Sequence, residues 1–303
     1  MSRVNEPEAL DYRARLAAGV FSSVMRRPIS GSMYLAASLA NQRPDSQFAR
    51  SVYTHVSRGR TSAPTTEKFR VKLRPVEEGP DPCAAVAITG RCEPEVTETL
   101  RRFIAAGMTV VDVGANVGWY TLLSAQLVGP RGRVLSIEPE PRNFQSLVDS
   151  VTLNGFRNVE PIEAAVADFD GETALFLSRE NPGGHSMVWP AVGHVNVRAL
   201  TLDTILAQRG IPRADLVKID VESAEPIVVR GSPRMFFGDA PPIVVMEFSP
   251  RSWSEEGDLL ERLHSRFRMY ELRGRFGRWH AAAPKDLSNG PQTMLYLDPR
   301  RAS

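Results

Sequence analysis

The 303-residue sequence has few of the features of secreted, membrane-spanning or disulfide-built proteins. It has only two cysteines, Cys83 and Cys92, which neither suggest a disulfide framework nor offer a cysteine-based metal cluster. No apolar run reaches the roughly 18 residues that a membrane-spanning helix needs. The apolar stretch 16–25 is short and ends at two arginines without a small-residue cleavage pattern, so we expect a packed helix there and not a secretory signal. We therefore expect a cytoplasmic protein without a membrane span.

The sequence also lacks internal repeats and low-complexity tracts, but its charge is unevenly distributed. Residues 1–80 carry 13 Arg/Lys against 7 Asp/Glu, whereas the remainder carries 24 against 28. A basic arm can contact nucleic acid. However, aromatic residues are not interleaved with the basic ones as they are in single-strand binders. We interpret 1–80 as a mainly helical extension with a solvated basic face, which could mediate homo-oligomer formation, and we expect no nucleic-acid partner.

From residue 81 to 303 the pattern predicts one α/β domain. Predicted helices alternate with short β-branched runs, which is typical of a parallel sheet covered by helices on both faces, in a Rossmann-like doubly wound fold. Two runs near the end predict a terminal antiparallel strand pair, and the rhythm is interrupted over about 170–203, where we expect a β insertion. The predicted strands of the sheet are 109–113, 133–138, 158–166, 216–220, 242–247, 267–272 and 293–297.

A glycine motif follows the first predicted strand and opens a helix. Dinucleotide folds place G-x-G-x-x-G here, because a pyrophosphate must approach the backbone closely. This chain instead has Asp112 followed by Gly114 and Gly118, in the pattern D-x-G-x-x-x-G. The pattern suits a cofactor with an amino-acid end and no phosphate, since the glycines allow a tight turn and Asp112 can attract an ammonium group.

An acidic residue ends the second predicted strand. Glu138 lies 20 residues after Gly118, and a carboxylate at this position accepts hydrogen bonds from both ribose hydroxyls of a nucleoside. The nucleoside can belong to NAD or to S-adenosylmethionine. The glycine motif, this acid and the strand–helix framing together favour a nucleoside cofactor.

The motifs resemble the FkbM family of methyltransferases over about 85–250. The resemblance rests on the segments 112–121, 137–139 and 218–225 with Gly231, although the family's usual pattern has glycine where this chain has Ser223. It implies a class I methyltransferase fold, S-adenosylmethionine as the cofactor, and a hydroxyl of a sugar or secondary metabolite as the small-molecule acceptor. Carried over by position, the cofactor-binding residues would be Asp112, Gly114, Ala115, Asn116, Gly118, Glu138, Pro139, Ala165 and Val166.

Candidate catalytic residues follow later strands. Asp220, Glu222 and Glu247 are acids at the carboxyl ends of predicted strands, where open α/β sheets bind their ligands. They could hold the cofactor ammonium, remove the acceptor's proton, or bind Mg²⁺, for which Asp220 and Glu247 are the candidate ligands. Glu225, at the start of the next helix, could join them or only cap that helix. His185, in the Gly/Pro-containing loop 181–186, is the alternative base.

Four other functions compete with O-methylation. N-methylation of an amino sugar or amine stays open, because the same site could serve an amine. An NAD(P)-binding oxidoreductase is disfavoured by the missing third glycine, and a non-catalytic nucleotide-binding module by the intact cofactor acids. A nucleic-acid amino-methyltransferase would show Asn/Asp-Pro-Pro-aromatic after the fourth strand, where this chain has 220–223 as Asp-Val-Glu-Ser.

Overall fold

The computed structural model describes residues 61–73, 86, 90–178, 184–191, 193–273 and 278–299. Most of the predicted helical extension, including residues 1–60, lies outside the described residues, as does any self-association through it. In the described part of the chain, no helix combines the length and the apolar character that crossing a bilayer requires.

Thirteen strands and eight helices make up the described residues. The strands are β1 (Ser62–Pro64), β2 (Arg70–Lys72), β3 (Thr109–Val113), β4 (Arg133–Glu138), β5 (Val159–Glu163), β6 (Ala165–Val166), β7 (Gly171–Leu177), β8 (Gly193–Leu200), β9 (Leu216–Ile219), β10 (Ile243–Phe248), β11 (Phe267–Arg273), β12 (Arg278–Ala281) and β13 (Thr293–Pro299). The helices are α1 (Pro94–Phe103), α2 (Trp119–Val128), α3 (Pro141–Leu153), α4 (Leu202–Gln208), α5 (Glu225–Arg230), α6 (Pro233–Phe237), α7 (Gly257–Arg266) and α8 (Pro284–Leu287).

The large sheet contains eight strands in the order β12-β11-β13-β10-β9-β3-β4-β5. The five strands from β10 to β5 are parallel, whereas β13 runs antiparallel to both β10 and β11. The chain thus winds outwards from β3 to one edge, returns to β9 and continues to the other edge. This topology confirms the predicted doubly wound α/β fold, including its terminal antiparallel pair.

Alternating side chains of the central strands build two hydrophobic layers, as the two-residue period of a strand requires. Val110 of β3 faces a layer that contains Leu100 of α1, Leu122 of α2 and Leu147 of α3. Its neighbour Val111 faces the opposite layer, to which α4, α5 and α7 contribute Ile205, Val228 and Leu260. All eight side chains are at most 2 % exposed. Helices therefore cover both faces of the sheet.

The predicted insertion forms a separate sheet in the order β6-β8-β7. It differs from the sequence prediction at its first strand, because the predicted strand 158–166 is divided. Residues 159–163 pair with β4 in the large sheet, whereas Ala165 and Val166 pair in parallel with Ala199 and Leu200 of β8. The chain therefore leaves the large sheet at Ala164 and enters the small one.

Residues 61–73 pack on the α/β domain, although the sequence suggested a boundary near residue 80. The backbone of Arg70 exchanges two hydrogen bonds with the side chain of Asn154, and the N–H of Lys72 donates to Oγ of Ser150. Phe69 is buried and its ring contacts that of Trp119 edge-on at 5.2 Å. The hydrophobic core thus begins before the predicted boundary.

Candidate functional site

A cavity of about 290 Å³ lies at the carboxyl ends of β3, β4, β9 and β10. Its size is at the lower end of the roughly 300–1,000 Å³ of ligand pockets. The lining includes six of the nine predicted cofactor residues and all four predicted catalytic residues. These ten residues are Gly114, Ala115, Asn116, Glu138, Pro139, Ala165, His185, Asp220, Glu222 and Glu247.

The turn that contains Gly114 places main-chain atoms at the cavity, where β3 and β9 end side by side. At Gly114, which has a φ of 75°, a Cβ would lie 1.9 Å from the backbone oxygen of Asp220. Any side chain here would therefore push β3 and β9 apart. The glycine at this position is explained by the close approach of two parallel strands, and the same approach brings Asp220 beside the turn.

Asn116 and Glu138 form the wall beside the glycine turn. The backbone N–H of Asn116 donates to Oε2 of Glu138 at 2.8 Å, and the N–H of Glu140 donates to Oε1 at 2.9 Å. Burial raises the pKa of Glu138 to about 7, although both N–H groups oppose the shift. Oδ1 of Asn116 is buried without a hydrogen-bond partner in the described structure. Buried polar atoms of this kind call for a partner such as a ligand.

Asp112 lies beneath the cavity and does not line it, so the predicted attraction of an ammonium group, directly or through water, stays a prediction. Thr121 Oγ1 donates to its Oδ2 at 2.7 Å, and Nζ of Lys218 lies 3.7 Å from its Oδ1. Lys218, 3 % exposed, also contacts Oδ2 of Asp220 at 3.1 Å and donates to the Gly114 carbonyl oxygen at 3.2 Å. Burial opposes the charged amine, but Asp220 and Asp112 raise the pKa of Lys218 above its ordinary value. Asp112 therefore holds the lysine that connects β3 and β9.

Gly118 and Val166 are likewise outside the cavity lining. Gly118 precedes α2 with a φ of 96°, and a Cβ there would lie 2.7 Å from Cδ1 of Leu147. The lack of a side chain at Gly118 lets α2 pack closely against α3, and the predicted contact of Gly118 with the cofactor stays a prediction. Val166 is buried within the core, whereas its neighbour Ala165 lines the cavity.

Three acids face the cavity from β9 and β10. Burial, together with the negative charge of Asp220 and Glu247, raises the pKa of Glu222 to about 8. Burial and Asp220 also raise the pKa of Glu247 to about 7. Oε1 of Glu247 accepts a hydrogen bond from Gln292 at 2.6 Å, while Oε2 is buried without a partner in the described structure. The site thus holds carboxyls that exchange protons near neutral pH.

The turn after β9 is conformationally strained. Glu222 and Ser223 have φ angles of 53° and 77°, in the left-handed region. The left-handed region costs an L-residue roughly 1–2 kcal/mol. A glycine at the position of Ser223 would avoid this cost. Oγ of Ser186 donates to the carbonyl oxygen of Glu222 at 2.7 Å and so stabilises the turn.

Glu225 does not join the acids of the cavity. Its Oε1 accepts a hydrogen bond from the N–H of Val221 at 3.0 Å, at the start of α5. Among the described residues, no three Asp, Glu, His or Cys side chains are placed to hold a metal ion together. The arrangement of Asp220 and Glu247 therefore gives no support to the magnesium site that the sequence suggested.

His185 reaches the cavity from the insertion. Its Nδ1 accepts a hydrogen bond from the backbone N–H of Ser178 at 3.1 Å. The proton of the neutral imidazole is therefore assigned to Nε2. In this state the ring offers a hydrogen-bond donor, which is unfavourable for the predicted role of general base.

Sequence reasoning missed Cys92 and Glu93, which line the cavity beside Tyr120. The hydroxyl of Tyr120 donates to Oε2 of Glu93, and both residues line the cavity. Burial raises the pKa of the Cys92 thiol, so this cysteine is a packed side chain without thiolate character. The lysine in the apolar run 216–219 was a readable signal for buried acidic partners. Glu93 offered only a glutamate before a helix-starting proline.

The chain is similar to known methyltransferases. A family model described as "Methyltransferase FkbM domain" matches residues 112–275, which is more than half of the chain. "Methyltransferase 1" of Beauveria bassiana (strain ARSEF 2860) is 24% identical over 143 residues, covering 40% of this chain and 57% of the relative. "Methyltransferase sdnD" of Sordaria araneosa is 24% identical over 154 residues, covering 40% and 59%. The chain thus spans less than two thirds of these relatives.

One solved structure carries the same family name. The crystal structure of methyltransferase FkbM from Methylobacillus flagellatus KT overlaps 71% of this chain and 52% of its own, with a TM-score of 0.41 and 16% identity. At this TM-score the overlap carries no argument of its own. The fold is established by the strand order, and the family by the match over 112–275.

Proposed function

The chain belongs to the FkbM methyltransferase family, and we propose that it transfers the methyl group of S-adenosylmethionine to a hydroxyl of a sugar or another small metabolite. The observation that carries the proposal is the cavity in which Asn116, Glu138 and three acids meet. The cavity has a cofactor wall, formed by Gly114, Asn116, Glu138 and Ala165, and an acidic wall, formed by Asp220, Glu222 and Glu247. Both walls lie at the strand ends, where open α/β sheets bind ligands.

The cofactor wall fits S-adenosylmethionine. Glu138 would accept hydrogen bonds from the ribose hydroxyls, and the unpaired Oδ1 of Asn116 would gain a donor. Ala165 is small enough to leave room for the adenine ring, and Gly114 exposes backbone to the amino-acid end. When bound, the cofactor would supply an electrophilic methyl group.

The acidic wall would prepare the acceptor. A hydroxyl is a poor nucleophile until its proton is taken, and a base works best when its pKa lies near the operating pH. Glu247, with a pKa of about 7, fulfils this condition, and its unpaired Oε2 can accept the hydroxyl proton. Glu222, with a pKa of about 8, is mostly protonated at pH 7 and can orient the same oxygen as a donor.

An amine is the second candidate acceptor. Glu93, Asp220, Glu222 and Glu247 line the cavity together with the single cation Lys218. This excess of carboxyls would attract a protonated amine, and Glu247 could remove its proton before transfer. Hydroxyl and amine acceptors differ in pH dependence, because only the amine enters the site charged.

A two-step experiment tests the proposed function. First, thermal melts are recorded with S-adenosylmethionine, S-adenosylhomocysteine, NAD and NADP. At 100 times its Kd a ligand stabilises the fold by about 2.7 kcal/mol, so we expect the two adenosyl-sulfur compounds alone to raise Tm by several degrees. A shift with NAD or NADP only would reject the proposed cofactor.

In the second step, transfer of labelled methyl groups is measured against panels of glycosides and amines, with and without EDTA. Glu247→Gln should reduce transfer at least a hundredfold while S-adenosylhomocysteine binding is kept. Glu225→Gln is the matched control, because this buried acid does not line the cavity. Full activity of the Glu247→Gln variant would exclude Glu247 as the base. Loss of transfer by the unchanged protein when EDTA is added would restore the metal hypothesis.

A further inference from the structure

Glu93 occupies a cavity position that its place in the sequence does not explain. It directly precedes α1 and has a φ of 31°, in the left-handed region. Residues at this position usually accept a hydrogen bond from the first turn of the helix. The Glu93 side chain makes no such bond and instead accepts one from the hydroxyl of Tyr120. The carboxylate is thus held towards the cavity at a conformational cost.

The charges around Glu93 are not balanced by the protein. Lys218 lies between Asp112 and Asp220 and makes its ion pairs with them. Within the described residues, Glu93 has no cation at ion-pair distance, and the nearby Asp220 adds a further negative charge. Glu93 is solvent-exposed, yet desolvation and Asp220 raise the pKa of its carboxyl, against smaller opposing effects of the Tyr120 hydroxyl and of Lys218. A ligand cation would relieve this excess of negative charge.

The order of the strands indicates which ligand group lies here. Glu138 ends β4 and the Gly114 turn follows the neighbouring β3, whereas Ala165 comes just after β5, the neighbour of β4 on its other side. An adenine, a ribose and an amino-acid end are connected in the same order. Beyond the glycine turn come Lys218, whose Nζ lies 5.1 Å from the centre of the Tyr120 ring, and then Glu93. An amino-acid end that extended beyond the glycine turn would therefore face the Tyr120–Glu93 pair.

We propose that Glu93, oriented by Tyr120, binds the α-ammonium group of the cofactor. This inference rests on the proposed function and adds an ammonium subsite whose carboxylate, that of Glu93, lies upstream of the family match at 112–275, whereas Tyr120 lies within the match. Asp112, the residue that sequence reasoning favoured for this role, is 1 % exposed beneath Lys218 and Thr121. Glu93, in contrast, lines the cavity.

Calorimetry with three adenosine thioethers tests the subsite. S-adenosylhomocysteine has the ammonium and carboxylate groups, 5′-(3-aminopropyl)thioadenosine has the ammonium alone, and 5′-methylthioadenosine has neither. Glu93→Gln should weaken binding of the first two compounds about tenfold and change the third less than twofold. Tyr120→Phe should show the same selectivity with a smaller loss, because it releases the carboxylate without removing it.

The control is Glu98→Gln, which removes a negative charge from the exposed side of the same helix and should change none of the affinities. Melting curves of the unliganded variants establish that each is folded. Equal losses for all three compounds in Glu93→Gln, or no loss for any, would overturn the ammonium subsite. If the unchanged protein binds none of the three, the proposed cofactor itself falls, and the subsite with it.

Discussion

At the residue scale, Glu138 connects cofactor binding to pH. Burial raises the pKa of Glu138 to about 7, but ribose hydroxyls bind best to the carboxylate. Binding must therefore displace a proton at low pH. We expect the affinity for S-adenosylhomocysteine to fall about tenfold between pH 8 and pH 6, as measured by calorimetry in matched buffers.

The variant Glu138→Gln separates this effect from other titrations. It should bind S-adenosylhomocysteine at least tenfold more weakly at pH 8, since charge-assisted hydrogen bonds contribute roughly 1.5–3 kcal/mol, and its affinity should vary less with pH. Glu163→Gln is the matched control, because Glu163 pairs with Glu138 in the sheet register but is exposed. A pH dependence in Glu138→Gln as steep as that of the unchanged protein would assign the proton to another group.

The residues of the cofactor wall differ in how far sequence predicts them. Gly114, Asn116 and Glu138 were predicted because a short motif fixes them at the ends of two strands. Asp112 belongs to the same motif, but its contacts depend on Lys218. That lysine lies in a strand more than 100 residues later, so the motif does not reveal the contact. Glu93 reaches the cavity only because α1 packs beside α2. Tertiary packing of this kind leaves no periodic trace in a sequence.

At the element scale, a buried hydroxyl joins the insertion to the turn that follows β9. Oγ of Ser186 donates to the Glu222 carbonyl oxygen and accepts from the N–H of Val188 at 3.1 Å. A hydrogen bond of this type contributes about 1 kcal/mol. Ser186→Ala should therefore speed amide hydrogen exchange in 184–191 and 220–224 roughly fivefold, with little change in the central strands.

Ser265→Ala provides the comparison for this measurement. Its Oγ also donates to a backbone oxygen, that of Arg262, but the bond is local and exposed on α7. Its loss should leave exchange near the cavity unchanged. If Ser186→Ala exchanges like the unchanged protein, the insertion is held to the turn by other contacts.

The elements of the large sheet were predictable to different degrees. The runs 109–113 and 133–138 have the observed bounds, because buried parallel strands read as continuous apolar segments. The run 158–166 was predicted as one strand, since sequence does not reveal that its last residues pair in another sheet. The strands β1 and β12 were not predicted, because both are short and their pairing partners stabilise them more than their composition does.

At the scale of the whole molecule, buried glutamates make the stability of the fold depend on pH. Burial is the largest cause of the raised pKa values of four glutamates, which are about 7 for Glu138 and Glu247 and about 8 for Glu222 and Glu225. Between pH 4.5 and 8 the folded protein binds these protons more tightly than the unfolded chain does. The unliganded protein should therefore lose stability as pH rises through this interval and level off above pH 8. Glu160 has a lowered pKa despite some desolvation, because Arg133 and Arg209 bind it, and it acts below this interval.

Melting curves from pH 5 to pH 9 test this dependence, with an expected fall in Tm of at least about 5 °C. Glu225→Gln imitates the protonated carboxyl. The amide oxygen can still accept the hydrogen bond from the N–H of Val221, and the NH₂ group takes the place of Oε2, which has no hydrogen-bond partner in the described structure. The variant should melt with the unchanged protein near pH 5 and above it at pH 8.5. Parallel curves for the two proteins would show that Glu225 is ionised in the folded state, and a Tm that rises with pH would reject the whole assignment. Glu138, Glu222 and Glu247 line the cavity, so S-adenosylhomocysteine should change their contribution to the dependence of Tm on pH. The contribution of Glu225 should stay the same.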